Sequence, residues 1–461
     1  MTPHIDTVGS EWHLEVSRQR AAANWLAKGS AGGPGQTAQS MCCGMMDGAY
    51  ENPHICPNET AGRGGYPGFE MTTHIGPFPG LYYFSDLSLR FVAAMSVAPL
   101  IEYYDYTLDG DFLARKAYPL VKGVADFWVA YATPDATNAS IFHIENSCAQ
   151  EICGGGPPGG ETDPHHDLAF ARLTLGAALR YSAILDVDKE SRPAWSTLLA
   201  GLAPYPEGTY KGQSVWLEAA NTEKYFLSNA GGYSIVYYAA LHPANVVGLS
   251  SPESVLATAW NTVNSVNAVG NPWAPMNGLC MAWPPATRCA GPGRAASVLD
   301  AWEGALQRTM RPNFWPDLGG GGIEQAGATE GVNGALVQSA EGFVRFFPMW
   351  PPTGESSSFR NLRVRGAFLL SAAWSGDLGA VLGSIYVTAL GPAAARPFTF
   401  IKFWAGNTSA SATPPVATAT KSPPICSPLA CEPAPLVCAD CWTFLAQPGG
   451  TYQLSAPPTD V

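Results

Sequence analysis

The sequence predicts a mainly α-helical domain of the (α/α)6-barrel type, followed by a C-terminal all-β domain of sandwich-like form. Three observations lead there. From about residue 85, apolar residues recur at spacings of three and four, the pattern of a helix with one buried stripe. The helical stretches are separated by long Gly- and Pro-rich loops, and helix pairs joined in this way build α/α barrels. After about 342 the period falls to two: Phe343, Arg345 and Phe347 alternate with Val344 and Phe346, and 362–373 and 379–390 read as strands. At 461 residues the chain exceeds one compact core. The expected division is a helical domain over 1–341 and a β domain over 342–461, with a Pro/Ser/Thr-rich loop at about 406–437.

Each element follows from local pattern. Residues 1–80 are Gly-rich and irregular beyond one helix around 12–27. The stretch 86–106 is apolar and ends in Tyr103, Tyr104 and Tyr106. In 114–131, Leu120, Val124, Phe127 and Tyr131 draw one stripe. A Gly/Pro-rich loop, 152–164, precedes a helix start in which Asp163 can cap, Pro164 suits the first helical position and Asp167 sits in the positively polarised first turn. Leu168, Ala171, Leu175, Ala178 and Leu179 continue its buried face. Further helices are expected at 213–220, 229–241, 252–268, 294–310 and 328–340.

Composition removes several function classes. The formal net charge is −12, from 25 basic and 37 acidic residues, and no Lys/Arg run could follow a phosphate backbone, so no nucleic-acid partner is expected. Aromatic residues make up 11% of the chain; their faces suit sugar rings, although core packing accounts for most of them. The polar start MTPHIDTVGSEWHLE is no signal peptide. The most apolar region, 367–390, is broken by Asp377 and several glycines, so no membrane span is expected.

The eleven cysteines read as disulfides or free thiols. Cys148 and Cys153 bracket Glu151, and Cys280 and Cys289 bracket a short Trp/Pro loop; both spacings suit small disulfide loops. Cys438 and Cys441 have the C-x-x-C spacing of half a zinc ribbon, but Cys426 and Cys431 are wrongly spaced for the other half, and no metal site is assigned. Sequons at Asn58, Asn138 and Asn407 are compatible with secretion.

The search for chemistry turns on acids in loops beside aromatic or Gly-rich segments. Glu151 stands in I-E-N-S-C-A-Q-E-I-C-G-G-G. Glu324 stands in D-L-G-G-G-G-I-E-Q-A-G-A-T-E, just before a helix, where four glycines allow close backbone approach. Two carboxylates on separate loops at one end of a barrel are what glycosidic cleavage requires: one protonates the leaving oxygen, the other activates water or attacks. Taken singly, any of the 37 acids is by default a surface or capping residue.

Three stretches together resemble glycoside hydrolase family 95, the α-L-fucosidase and α-L-galactosidase family, in a divergent form. Y-D-Y-T-L-D-G-D-F-L-A-R-K-A-Y-P-L-V-K-G-V-A-D-F-W (104–128) is similar to a helix pair of its barrel. N-S-C-A-Q-E (146–151) resembles the motif whose glutamate is the general acid, and 322–351 resembles the segment that carries the catalytic aspartate and leads into the β domain. F-R-N-L-R-V-R-G-A-F-L-L-S (359–371) and, more weakly, H-P-A-N-V-V-G-L-S-S (242–251) extend the likeness from about 70 to 391. The resemblance implies a cofactor-independent, inverting hydrolase of oligosaccharides or polysaccharides, with Glu151 as proton donor and Glu324 at, or within one residue of, the catalytic aspartate. It implies sugar contacts from Asn146, Gln325 and His74, with Tyr237 where the family has a histidine. The chain departs from the pattern in lacking the family's water-holding Asn-x-Asn segment and N-terminal β domain, so the helical domain is expected to be N-terminally incomplete. Two other readings stay open: a non-catalytic carbohydrate-binding relative, or another α/α-barrel glycosidase or polysaccharide lyase.

Overall fold

The structure is a computed structural model. It describes residues 90–147, 149, 161–223, 226–227, 235–270, 272–275, 281–313, 316–317, 328–351, 355–391, 394–401, 411–413, 420–421 and 441–455. The expected helix at 12–27 lies outside them.

Paired helices come first. α1 (Val92–Thr107) packs Val97, Leu100, Ile101 and Tyr104 inward and ends at Leu108, whose left-handed conformation (φ 56°) turns its N–H back onto the Tyr104 carbonyl. A short helical turn, Gly110–Phe112, is capped by the Asp109 carboxylate and runs through a π-helical stretch, Leu113–Ala117, into α2 (Tyr118–Tyr131). The expected stripe of Leu120, Val124, Phe127 and Tyr131 is buried there, joined by Val121 and Trp128. α3 (His165–Leu185) is the central helix. It packs against α1, α2 and α4 (Arg192–Gly201), and the residues off its expected stripe, such as Phe170, Leu173 and Tyr181, are buried as well. A helix apolar on all sides belongs inside a core. α3 is also long and apolar enough to cross a membrane by length and composition, but it is mostly buried within this core.

The expected helix at 213–220 is instead a hairpin. β3 (Glu207–Tyr210) and β4 (Gln213–Trp216) are joined by Lys211 and Gly212, both at positive φ (49° and 77°). That two-residue turn matches the strand twist, and Gly212 makes it cheap. Ile235–Tyr238 is one short helix inside the longer one expected over 229–241. α5 (Glu253–Asn267) and α7 (Ala295–Thr309) fall where expected. Between them lies α6 (Trp283–Cys289), opened by Pro284 and Pro285 in its first turn. Cys289 within it is buried and free, so the expected Cys280–Cys289 disulfide is not formed. α8 (Ala328–Leu336) stops short of 340 because Val337–Gln338 (β5) pairs with Arg345–Phe346 (β6).

A β region closes the chain. The expected strand at 362–373 is two strands, β7 (Ser357–Val364) and β8 (Phe368–Ser375), reversed through Gly366 and Ala367 at φ 83° and 58°. Gly383, at φ 69°, likewise divides 379–390 into β9 (Ala380–Val381) and β10 (Ser384–Ala389). β11 (Arg396–Ile401), β12 (Ser411–Thr413), β13 (Thr420–Lys421), β14 (Cys441–Ala446) and β15 (Thr451–Ser455) complete it. β12 and β13 fall inside the stretch expected to be loop. Cys441 is disulfide-bonded, which removes it as a metal ligand. One sheet runs β12-β15-β10-β8-β7, with β9 on β8, and a second runs β11-β14-β13. Leu370, Ile385, Val387 and Leu454 of the first share a core with Phe398, Phe400 and Phe444 of the second, giving a sandwich.

The helical and β regions meet at a buried carboxylate. Asp105 of α1 accepts from Arg180 of α3 at 2.7 Å and from Arg365, in the β7–β8 turn, at 3.0 Å, while its carbonyl accepts the Gly366 N–H at 2.7 Å. Arg288 of α6 pairs with Glu330 of α8 at 2.8 Å, and Arg345 of β6 with Glu341 at 2.9 Å. Removing one member of a buried ion network strands its partners in a poor solvent. Asp105→Ala is therefore expected to cost about 3–5 kcal/mol. Urea unfolding followed by tryptophan fluorescence measures this, and a midpoint equal to wild type would refute the role of the seam.

Candidate active site

The residues around the expected proton donor are held by a polar network at the buried start of α3. His165, His166 and Asp167, its first turn, are fully buried. The first N–H groups of a helix lack intrahelical acceptors, so a buried start demands partners from elsewhere. The His165 N–H donates to the Glu218 carbonyl at 2.8 Å, and the Ala220 N–H to the Thr162 carbonyl at 2.8 Å. Asp167 places its carboxylate in that first turn, where the helix dipole favours it, and accepts the Ser147 hydroxyl.

Asp163 does not cap α3 with its side chain, contrary to the sequence expectation. It takes positive φ (52°), and its carboxylate accepts the Ile144 N–H at 2.8 Å and bonds His143 Nδ1 at 2.6 Å. β1 (Thr133–Pro134) and β2 (Phe142–His143) form the short ladder from which His143 reaches it. The other ring nitrogen of His143 lies 3.2 Å from Asp135. Partial burial opposes a charged imidazole, but the bonds and charges of Asp163 and Asp135 outweigh it and raise the His143 pKa. Asp135 is itself held well below the usual carboxylate range by the Thr137 hydroxyl and the Thr137 and Asn138 N–H groups.

From this base the chain runs outward through Asn146 and Ser147. The Tyr131 hydroxyl donates to the Glu145 carbonyl at 2.6 Å and receives Arg90 Nε at 3.0 Å. Asn146 is exposed and takes positive φ (53°), which asparagine tolerates better than most residues. Ser147 and Glu161 then exchange backbone hydrogen bonds of 3.3 and 3.0 Å, so the two ends of the segment carrying Glu151 lie side by side. The Glu161 carboxylate accepts the Ala149 N–H. Glu161 is buried, and its pKa is pushed up to about 7: burial contributes most, the Glu218 charge adds, and the Ala149 N–H opposes. A carboxyl group with that value holds a proton near neutral pH, as a general acid must.

An aromatic wall backs the site. His165 stacks on Tyr205 at 4.5 Å and lies 4.8 Å from the Trp216 ring, with the Arg172 guanidinium 4.6 Å over Tyr205. Burial holds the His165 pKa well below its ordinary value, so the ring is neutral. Tyr237, expected as a sugar contact, is fully buried and packs edge-on to Phe226 at 5.5 Å, a packing position. Glu151, Glu324, Gln325 and His74 lie outside the described residues. Among the described residues no cluster of three or more His, Cys, Asp or Glu side chains could hold a metal ion.

Glu161 and Glu218 were missed in the sequence. The signal for Glu161 was G-E-T-D-P-H-H-D, three acids in seven residues spanning a helix start. Glu218 was hidden by reading a hairpin as a helix.

Residues 87–275 match the family model described as the glycosyl hydrolase family 95 catalytic domain. No curated protein shows significant sequence similarity to the chain. Among solved structures, one named "Putative kojibiose phosphorylase from human microbiome" is similar over 69% of this chain at 8% identity, with a TM-score of 0.42. The similarity spans 49% of that structure's length, about half.

The Glu161 shift makes a stability prediction. Its folded pKa of about 7 lies above the ordinary 4.5, so the folded state binds the extra proton. The contribution to stability is then full below about pH 4.5 and is lost as pH rises through about 7. Glu161→Gln, neutral at every pH, should match wild type at pH 5 and exceed it at pH 8.5 by up to about 3 kcal/mol. Thermal unfolding at the two pH values tests this; an equal difference at both would show that Glu161 titrates normally.

Proposed function

We propose that this chain, whose residues 87–275 match the glycosyl hydrolase family 95 catalytic-domain model, is a divergent member of that family and a glycosidase cleaving α-L-fucosidic or related α-L-galactosidic bonds with inversion. The observation that carries this reading is the anchoring of the Glu151 segment: Ser147 and Glu161 pair main chain to main chain, and Ser147 bonds Asp167 in the first turn of the central helix. An acid catalyst has to be held within a fraction of an ångström of the bond it protonates, and a segment clamped at both ends onto a buried helix meets that need.

In this mechanism Glu151 delivers its proton to the glycosidic oxygen as the bond to the anomeric carbon breaks. Glu324 draws a proton from the water that attacks the opposite face. Inversion leaves the two carboxyl groups roughly 6.5–9.5 Å apart, with room for that water. Asn146, exposed beside Ser147, and Gln325 and His74 are assigned to the sugar hydroxyls, and no cofactor is needed. The substrate is an oligosaccharide or polysaccharide, and the domains are assigned as 1–341 and 342–461. Secretion or residence in an endomembrane lumen is proposed from the cysteines and the sequons, of which Asn138 lies on an exposed turn.

The test uses 4-nitrophenyl α-L-fucopyranoside and its α-L-galactopyranoside analogue. Turnover should release the β-anomer first in a proton NMR time course; the α-anomer appearing first would overturn inversion. Glu151→Gln should lower kcat by on the order of 10²–10⁴ while sparing binding. Undiminished turnover would refute the acid role, and binding without turnover in wild type would favour the non-catalytic reading.

A further inference from the structure

The seam between the helical and β regions holds a cavity of about 220 Å³, and all of its lining residues are described. On one side stand the C-terminal parts of α1 and α3. On the other stand the β5–β6 turn, the β7–β8 turn and β11. Asp105, Arg180 and Arg365 are in its wall, and Leu108, Ile184, Phe343 and Phe398 give it an apolar side. Arg180 follows His165 by fifteen residues of α3, so the cavity lies about 22 Å along that helix from the candidate active site. The proposed mechanism makes no use of it.

The charges in this wall are unequal, because two guanidinium groups share one carboxylate. Asp105 has one on each oxygen, Arg180 on Oδ1 at 2.7 Å and Arg365 on Oδ2 at 3.0 Å. The guanidinium groups are less fully used. Arg180 gives Nη2 to Asp105 and to the Tyr181 hydroxyl at 3.0 Å, while its Nη1 and its buried Nε have no acceptor among the described residues. Arg365 gives Nη1 to Asp105, and its Nη2 lies 3.6 Å from Glu102, which does not line the cavity. A charged donor left without an acceptor away from bulk water is costly, and an ionised acceptor bonds it about twice as strongly as a neutral one. One excess positive charge suits a monoanion better than a phosphate dianion, and the planar guanidinium fork matches a carboxylate. The volume falls below the roughly 300–1,000 Å³ of sites for drug-sized ligands, which limits the body to about one ring. The apolar side favours a ring face over a bare ion. We propose that this cavity binds a small organic carboxylate carried on a single ring, such as a uronic acid. The carboxylate lies between Arg180 and Arg365, and the ring rests against Phe343 and Phe398. The site does not depend on the glycosidase reading, and its ligand ties α3 to the β sandwich because both supply its walls.

Thermal unfolding of the full chain near neutral pH, with ionic strength held constant by sodium chloride, reads the stabilisation that a ligand of the folded state confers. D-Glucuronate and benzoate are the probes; D-glucose, sulfate and phosphate are the controls. At least one carboxylate should raise the midpoint saturably, with a Kd on the order of 1 mM. The preference between the two identifies the ring, and D-glucose should leave the midpoint unmoved. Two variants place the effect in the cavity. Arg180→Lys keeps the charge but loses the planar fork, and should weaken binding at least tenfold. Ile184→Glu acts at the half-exposed mouth, one helical turn beyond Arg180, where a carboxylate in the chain reaches the guanidinium first. It should also weaken binding at least tenfold, without lowering the midpoint of the unliganded chain. Near-ultraviolet circular dichroism establishes that each variant is folded. Failure of both carboxylates to bind, equal shifts from sulfate or phosphate, or binding undiminished in Ile184→Glu overturns the proposal.

Discussion

The first turn of α3 is wholly buried, and the organisation around the candidate site follows from that burial. A helix start inside a protein exposes N–H donors and a partial positive charge to a medium that solvates neither. Three segments distant in sequence converge to satisfy it: the turn before α3, the strand end at Ile144–Ser147, and the chain after β4. Acids are concentrated there because the site is electrostatically suited to them. Asp163, Asp167, Glu161 and Glu218 are each 5% exposed or less. An acidic cluster that would repel itself on a surface is held together by amide donors, a serine hydroxyl, two histidines and the end of a helix.

The same logic recurs at the junction of the two regions. Asp105 joins α1, α3 and the β7–β8 turn through two guanidinium groups and one amide. Burying charge in this way gains little over apolar packing, but it leaves few alternative arrangements, because any shift unpairs an ion. The β sandwich is thereby tied to the opposite part of α3 from the candidate site. Both ends of the central helix are fixed by carboxylates, so the paired Ser147 and Glu161 are hung from a stiff support.

Much of the fold was legible because period and turn chemistry are local. The stripe of α2, the span of α5 and α7, and the change to period two near 342 were read from spacing alone. The failures have common causes. The Glu207–Trp216 hairpin was lost because V-W-L-E-A-A fits a helix period as well as a strand; the Lys-Gly turn between its strands was the deciding clue. The strand expected at 362–373 concealed a reversal at Gly366–Ala367, where alternation continues on both sides of the turn. The Asp163 cap failed because a stronger demand, the Ile144 amide and the His143 ring, competed for the same carboxylate.

The sequence by itself determined the order of helical and β regions and the stripe residues. Those depend on side-chain period, on glycine and proline, and on short motifs, all of which act over a few residues. Tertiary structure alone decided which acids are buried, which carry raised pKa values and which elements they join. Asp105 meets Arg365 across 260 residues, and His143 meets Asp163 across twenty. No local pattern encodes such meetings. They arise because a buried charge has no solvent to turn to and takes whatever partner the packing of distant segments brings. Glu161 is the clearest case: in the chain it is one acid among 37, and in the fold it is a proton-holding group beside Glu218 with its grip on Ala149.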